Sequence, residues 1–293
     1  MRGGRRGYDV ALLTTAEPGR RNRRTIDALL LAFAALWTAA AAVIAKSAPV
    51  QDEDVADAVV TILGWAEGFW RLVVVVFLLV GLAIVLDCFV HRRWDLARDL
   101  LVTLLVLTGL GSLLGQAVGS DWFAADADLW SRWGFPEYRL AIVTAVAAVV
   151  GPELVVGVRR LLFWLLGLAA LGLVAVSAAL PSDVLGALAL GLLSGAVVRL
   201  IFGSAAGVPP SDQVRAALVS LGVDVDDLQV ALHQERGAAT YIGHDNSGRP
   251  LSIRVLGRDA QDTQRLARRW RLLAYRDPQR SAPIGRLEQV EHE

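Results

Sequence analysis

The chain has 293 residues, 55% of them apolar, and its 29 basic and 29 acidic side chains cancel to a net charge of zero. A mean hydropathy of +0.48 points to a multi-spanning membrane protein. The single cysteine, Cys88, excludes both a disulfide framework and a thiolate metal site.

Residues 1–25 form a basic arm carrying Arg2, Arg5, Arg6, Arg20, Arg21, Arg23 and Arg24. The apolar run that follows is too long for a cleavable signal peptide. Six apolar segments then succeed one another: 28–45, 72–90, 100–118, 140–158, 161–180 and 184–202. Each has 18 to 20 residues, and about 20 residues cross a bilayer core. None shows the polar stripe of a soluble helix. The loops alternate in charge. His91, Arg92, Arg93 and Arg98 follow the second segment, and Arg159 and Arg160 follow the fourth. Asp52, Glu53, Asp54 and Asp57 follow the first, and Asp121, Asp126 and Asp128 follow the third. Basic short loops stay in the cytoplasm, so both termini are predicted inside.

The first loop repeats Val55, Val59, Ile62, Leu63 and Ala66 at helical spacing and closes on Trp65, Phe69 and Trp70. It reads as an amphipathic helix in the outer interface. Trp122, Phe123, Trp130, Trp133 and Phe135 make the third loop an aromatic belt or the entrance for a lipid headgroup. Within the segments, Asp87, Glu153 and Arg199 are intramembrane charges. They serve either as a relay or as structural pairs, with Arg199 neutralising Glu153 or Asp87. Pro152 bends the fourth segment. Gly111 with Gly115, and Gly191 with Gly195, allow close helix packing.

Two runs at outer helix ends carry a resemblance. One is Trp133-Gly-Phe-Pro-Glu-Tyr-Arg139; the other is Ala179-Leu-Pro-Ser-Asp183, continuing into Val184, Leu185 and Gly186. With the helix count, they resemble the type-2 phosphatidic acid phosphatase superfamily over roughly 25–202. That family's motifs start the fourth helix with Phe-Pro-Ser-Gly-His and end the fifth with His-Tyr-Pro-Ser-Asp. Here Glu137, Tyr138 and Arg139 stand for Ser-Gly-His, and Ala179 stands for the second His. The family's Ser-Arg pair falls on Gly172 and Leu173, and only Asp183 of the charge relay remains. Phosphoryl transfer by that route needs an attacking His and a polarised partner. The resemblance therefore implies a pseudoenzyme with no catalytic residues, no metal and no cofactor. Pro136, Glu137, Arg139, Pro181, Ser182 and Asp183 become candidates for contact with a lipid headgroup.

A linker spans 203–210, and the tail, 211–293, is charge-balanced and soluble in composition. A helix runs from Ser211 through Leu221, with strands over 228–233, 239–244 and 251–256 and a turn at Asp245-Asn-Ser-Gly248. A helix follows over 258–275 and another starts near Ile284. The run Gly248-Arg-Pro-Leu-Ser-Ile-Arg-Val-Leu-Gly-Arg-Asp259 resembles the kinase-like segment of bacterial lysylphosphatidylglycerol-synthase and flippase-like membrane proteins. The resemblance puts Arg254 at the phosphate-binding Lys and leaves Gly237 as the remnant of a glycine-rich loop.

The fold class expected is thus a membrane all-α six-helix bundle of phosphatidic-acid-phosphatase type with a partial cytoplasmic α+β kinase-like lobe. The function expected is non-catalytic binding or positioning of envelope lipids in a bacterial plasma membrane. Expected partners are membrane lipids and a flippase-like domain, or a missing C-terminal portion of the same polypeptide, with no nucleic acid. The competing functions are a phosphatase or phosphotransferase with altered residues, and an ion- or proton-coupled transporter using Asp87 and Glu153.

Overall fold

Long apolar runs satisfy their backbone polar groups internally only as helices, and most of this chain obeys that rule. A computed structural model describes residues 21–22, 25–120, 128–205, 211–231, 238–245 and 247–256. They divide into a helical unit, Asp27–Ser204, and a second unit that takes in 21–22, 25–26 and the residues from Ala205 onward. The helical unit holds α1 (Thr25–Ser47), α2 (Pro49–Leu63), α3 (Glu67–Val90) and α4 (Trp94–Val118). After these come α5 (Tyr138–Val150), α6 (Val156–Ala175) and α7 (Pro181–Phe202). Five stretches are long and apolar enough to cross a membrane: Ile26–Ser47, Pro49–Val90, Trp94–Val118, Gly157–Ala175 and Pro181–Phe202.

The fourth predicted segment is the exception. It is a 13-residue helix, α5, ended by a 3-10 turn at Gly151–Glu153 and by extended backbone at Leu154. Pro152 explains the break, since it lacks the N–H that would continue the ladder. Arg159 and Arg160 therefore lie in the first turns of α6, not in a loop as the sequence reading has it. The fifth segment also ends early, at Ala175, because Ser177 turns left-handed (φ 58°) and Pro181 opens α7. At the end of α4, Gly119 (φ 85°) supplies the left-handed residue that closes the helix, its N–H bonding to Gly115 O at 2.9 Å.

Contacts fix the directions of these helices. Phe135 packs on Gly186, Thr144 on Gly191 and Ala148 on Gly195, so α5 and α7 run parallel. Gly81 meets Val143, which places α3 alongside α5, and the Arg93–Glu153 pair joins the ends of both, so they run in the same sense. Gly172 meets Trp70 and Val74 near the opposite terminus of α6, so α6 runs against α3. Arg93 at the start of α4 reaches Glu153 after α5, and Asp27 at the start of α1 reaches Arg199 late in α7. Helices α1, α4 and α6 thus oppose α3, α5 and α7. Short α5 is the centre of the unit, with Leu140, Ala141, Ala145 and Val150 fully enclosed. The predicted helix exists as α2, with Asp52 and Ala56 buried and Ile62 exposed; Trp65, in the 3-10 turn that follows, is exposed as well.

In the second unit, α8 (Ser211–Ser220) precedes an antiparallel sheet of β1 (Val225–Val230), β2 (Ala238–Asp245) and β3 (Pro250–Leu256) in sequential order. Val214, Val225, Leu228 and Tyr241 form its core. The first strand starts earlier than the predicted 228–233. A bulge between Asp226 and Gln229, with Asp227 at φ 52°, breaks the alternation that locates strands in a sequence. The predicted turn is present: Gly248 N donates to Asp245 O at 2.8 Å with φ 80° at Gly248. The helices predicted over 258–275 and from Ile284 lie outside the described residues.

Two measurements test this packing. A Cβ on Gly191 would lie 2.6 Å from the Thr144 Cβ and 2.8 Å from Ala141 O. Gly191→Ala is expected to cost about 1–3 kcal/mol, read as a lower thermal midpoint in detergent. Gly109 has nothing within 4 Å, so Gly109→Ala is expected to gain up to about 1 kcal/mol. In the second unit, the Ser247 hydroxyl, then the Arg249 N–H, hold the exposed Asp245 carboxyl below its usual range. A lowered folded pKa stabilises the turn above the unfolded value of about 3.9. Protection of the Gly248 amide from exchange is therefore expected to hold above that pH and to fall as acid titrates Asp245.

Candidate functional site

The two sequence runs that carry the phosphatase resemblance meet at the starts of α5 and α7. Glu137 N donates to Asp183 O at 3.1 Å, and Phe135 packs on Gly186. The Phe135–Pro136 peptide is cis, and Phe135 N donates to Ser120 Oγ at 2.8 Å. Pro136 thus leads Glu137 into the N-cap position of α5, where its carboxylate accepts from Arg139 N at 3.3 Å. Pro181 occupies the first turn of α7 and donates nothing there, as suits a helix start. Asp183 accepts from Leu180 N at 3.0 Å and closes that turn.

Arg139 lies at the centre of this region, 4% exposed, beside a Glu137 that is wholly enclosed. Its Nε donates to Glu137 Oε1 at 2.5 Å and its Nη2 to Glu137 Oε2 at 2.9 Å, a two-point carboxylate pair. Nη2 also reaches Ser131 O and Ala178 O, both at 3.2 Å, and Nη1 donates to Leu129 O. The Trp133 ring covers the guanidinium at 4.8 Å and stacks on Tyr138 at 6.3 Å. One side chain therefore ties the 128–137 segment, the start of α5 and the turn after α6 together. It is committed to the protein's own oxygens.

Ser182 is held in a second buried pair. Its N–H donates to Asp52 Oδ1 at 3.0 Å and its hydroxyl to Asp52 Oδ2 at 2.5 Å. Asp52 comes from α2, 130 residues earlier, and fills the positive N-terminus of α7. The sequence reading counts Asp52 only as loop charge, because nothing local marks a contact so distant. Arg132 donates to Ser177 O at 3.3 Å. Among the described residues no histidine stands at this end. His91 follows α3, at the opposite end of the unit, and His244 is in β2.

The intramembrane charges pair differently from expectation. Arg199 pairs with Asp27 at 2.8 Å, not with Glu153 or Asp87, because the end of α7 faces the start of α1. Glu153 pairs with Arg93 at 3.4 Å, and Asp87 with His91 at 3.1 Å one turn on. No group of three His, Cys, Asp or Glu side chains arranged for a metal occurs among the described residues. Arg254 lies in β3 opposite Thr240, and Gly237 is outside the described residues.

Beside Arg139 runs an apolar groove of about 280 Å³. Leu78, Leu82 and Val85 of α3 form one wall, and Ile142, Val143 and Val146 of α5 form the other. Trp133, Tyr138 and Arg139 lie at its upper end, and Gly81 lets the two helices approach. Its walls are apolar and its mouth is aromatic. Comparison with family models, curated proteins and solved structures finds no match to this chain.

The geometry makes Arg139 a structural residue. Arg139→Ala leaves Glu137 charged and enclosed, and is expected to cost about 3–5 kcal/mol of stability. Arg139→Lys does not restore it, since an ammonium lacks the planar fork. The double change Glu137→Leu with Arg139→Met recovers part of the loss, as read from thermal unfolding in detergent.

Proposed function

We propose that this chain is a non-catalytic, multi-pass membrane module that holds an envelope lipid, with one acyl chain in the groove between α3 and α5. The observation that carries the reading is the groove itself. It is apolar along two turns of helix, about 11 Å, and ends on Trp133 and Tyr138, ring types that sit at headgroup level. Leu82, 54% exposed, keeps its side open to neighbouring lipid.

In this reading the chain crosses a bacterial plasma membrane six times. Buried α5 counts as the fourth crossing because its neighbours, rather than lipid, cover its backbone. The basic ends of α3 and α6 face the cytoplasm, as do both termini. The meeting of the Phe135–Pro136 and Pro181–Asp183 runs supports a phosphatidic-acid-phosphatase-type architecture. The commitment of Arg139 to Glu137, and of Asp52 to the start of α7, supports loss of phosphate chemistry. A flippase-like partner would receive the held lipid, with the kinase-like tail as an assembly module.

Native mass spectrometry of the full chain, purified in detergent with lipids left in place, tests the reading. Wild type is expected to carry bound lipid, and Ile142→Trp, which fills the slot, to lose it at least about tenfold. Leu101→Trp on the exposed face of α4 is the control and keeps the lipid. A bare wild type, or an Ile142→Trp protein that retains its lipid, overturns the groove as the binding site.

A further inference from the structure

The end of the helical unit opposite Arg139 gathers arginines, three of them without a salt bridge among the described residues, and Asp95 in the first turn of α4 is the exposed acid beside them. The chain leaves α3 through Arg92, whose left-handed backbone (φ 51°) turns it toward α4. Because α6 runs against α3, Arg159 and Arg160 in the first turns of α6 stand at this same end. The Arg93–Glu153 pair fastens the turn after α3 to the turn before α6, so the turn that carries Arg92 adjoins the helix start that carries Arg159 and Arg160. Other cations here are engaged: Arg98 with Asp99 and over Phe202, and Arg199 with Asp27. Among the described residues, the side chains of Arg92, Arg159 and Arg160 have no ion pair and no hydrogen bond. The first turn of α6 also contains no acidic residue, so its two cations are opposed by the positive dipole end.

The surroundings of the patch identify what balances this charge. Trp94 is 65% exposed and packs edge-on to Phe89, and Trp164, next to the arginines on α6, is 74% exposed. Exposed indoles at the ends of apolar spans mark headgroup depth. Leu86 near the end of α3, and Leu161 between the arginines and Trp164 on α6, are exposed and offer apolar surface to acyl chains. A soluble anion would use the arginines and leave the rings and leucines wet; a lipid uses both.

We infer that the patch formed by Arg92, Arg159 and Arg160 across the α3–α6 ends is a binding site for the phosphate headgroup of an anionic phospholipid. This site is separate from the α3–α5 groove and does not depend on it. Basic pockets between membrane helices hold such headgroups by charge, with each arginine near the surface adding about fivefold to affinity.

The test uses the full chain in vesicles of equal phosphatidylglycerol and phosphatidylcholine, with retained lipid counted by native mass spectrometry. Wild type is expected to select phosphatidylglycerol. The triple variant Arg92→Gln, Arg159→Gln, Arg160→Gln is expected to lose that selection by up to about a hundredfold, with its thermal midpoint unchanged. The corresponding triple Lys variant keeps the selection, since the charge remains; this arm also guards against a misfolded Gln variant. Equal retention of the two lipids by wild type, or selection that survives the Gln variant, overturns the inference. So does displacement of the lipid by soluble glycerol phosphate, which would make the patch a site for free phosphate esters.

Discussion

A buried arginine in an apolar helical unit dictates much of what surrounds it. Arg139 is enclosed at the start of α5, and a charge there is tolerated only when paired and hydrogen-bonded. Glu137 supplies the pair, and the carbonyls of Leu129, Ser131 and Ala178 supply the rest. Satisfying this one side chain folds the 128–137 segment over the bundle and brings the turn after α6 against it. The aromatic mouth of the groove follows, since Trp133 is held over the guanidinium and Tyr138 is stacked on Trp133.

Close packing below that point depends on small residues rather than on the hydrophobic effect. Lipid tails are as apolar as leucine, so helices associate through contact and backbone approach. Gly186, Gly191 and Gly195 give α7 a flat face on which α5 lies parallel. Short α5 sits deep between its neighbours, and α3, held against it at Gly81, leaves the slot between Leu78 and Val146 unfilled. The unit therefore carries two kinds of surface at its two ends. One end has its charges consumed internally and an apolar groove beside them; the other holds three arginines without a salt bridge among the described residues.

Much of this was legible in the sequence, for physical reasons that also explain the rest. Apolar runs near 20 residues located the long helices, and Gly191 with Gly195 marked a close helix contact, whose partner the structure shows to be α5. The sequence places the Glu137 and Asp183 runs only at helix ends on one side; their direct contact comes from the structure. Hydropathy alone missed the break at Pro152, because Gly151, Leu154 and Val155 are as apolar as the helices beside them. The partners of charged residues were the least readable. Asp52 with Ser182, Asp27 with Arg199 and Arg93 with Glu153 join positions far apart in the chain, and local pattern carries no trace of such pairs. The bulge at Asp227 hid the start of β1 in the same way, by interrupting the alternation on which strand reading depends.

Whether the α3–α5 groove holds a lipid chain in a bilayer decides its role. The most direct measurement is a density map of the protein in lipid nanodiscs at a resolution that separates acyl chains from side chains. The expected result is a continuous rod of density between Leu82 and Ile142, ending beside Trp133 and Tyr138. A groove closed by its own side chains, with ordered lipid resolved elsewhere on the unit, would contradict the account.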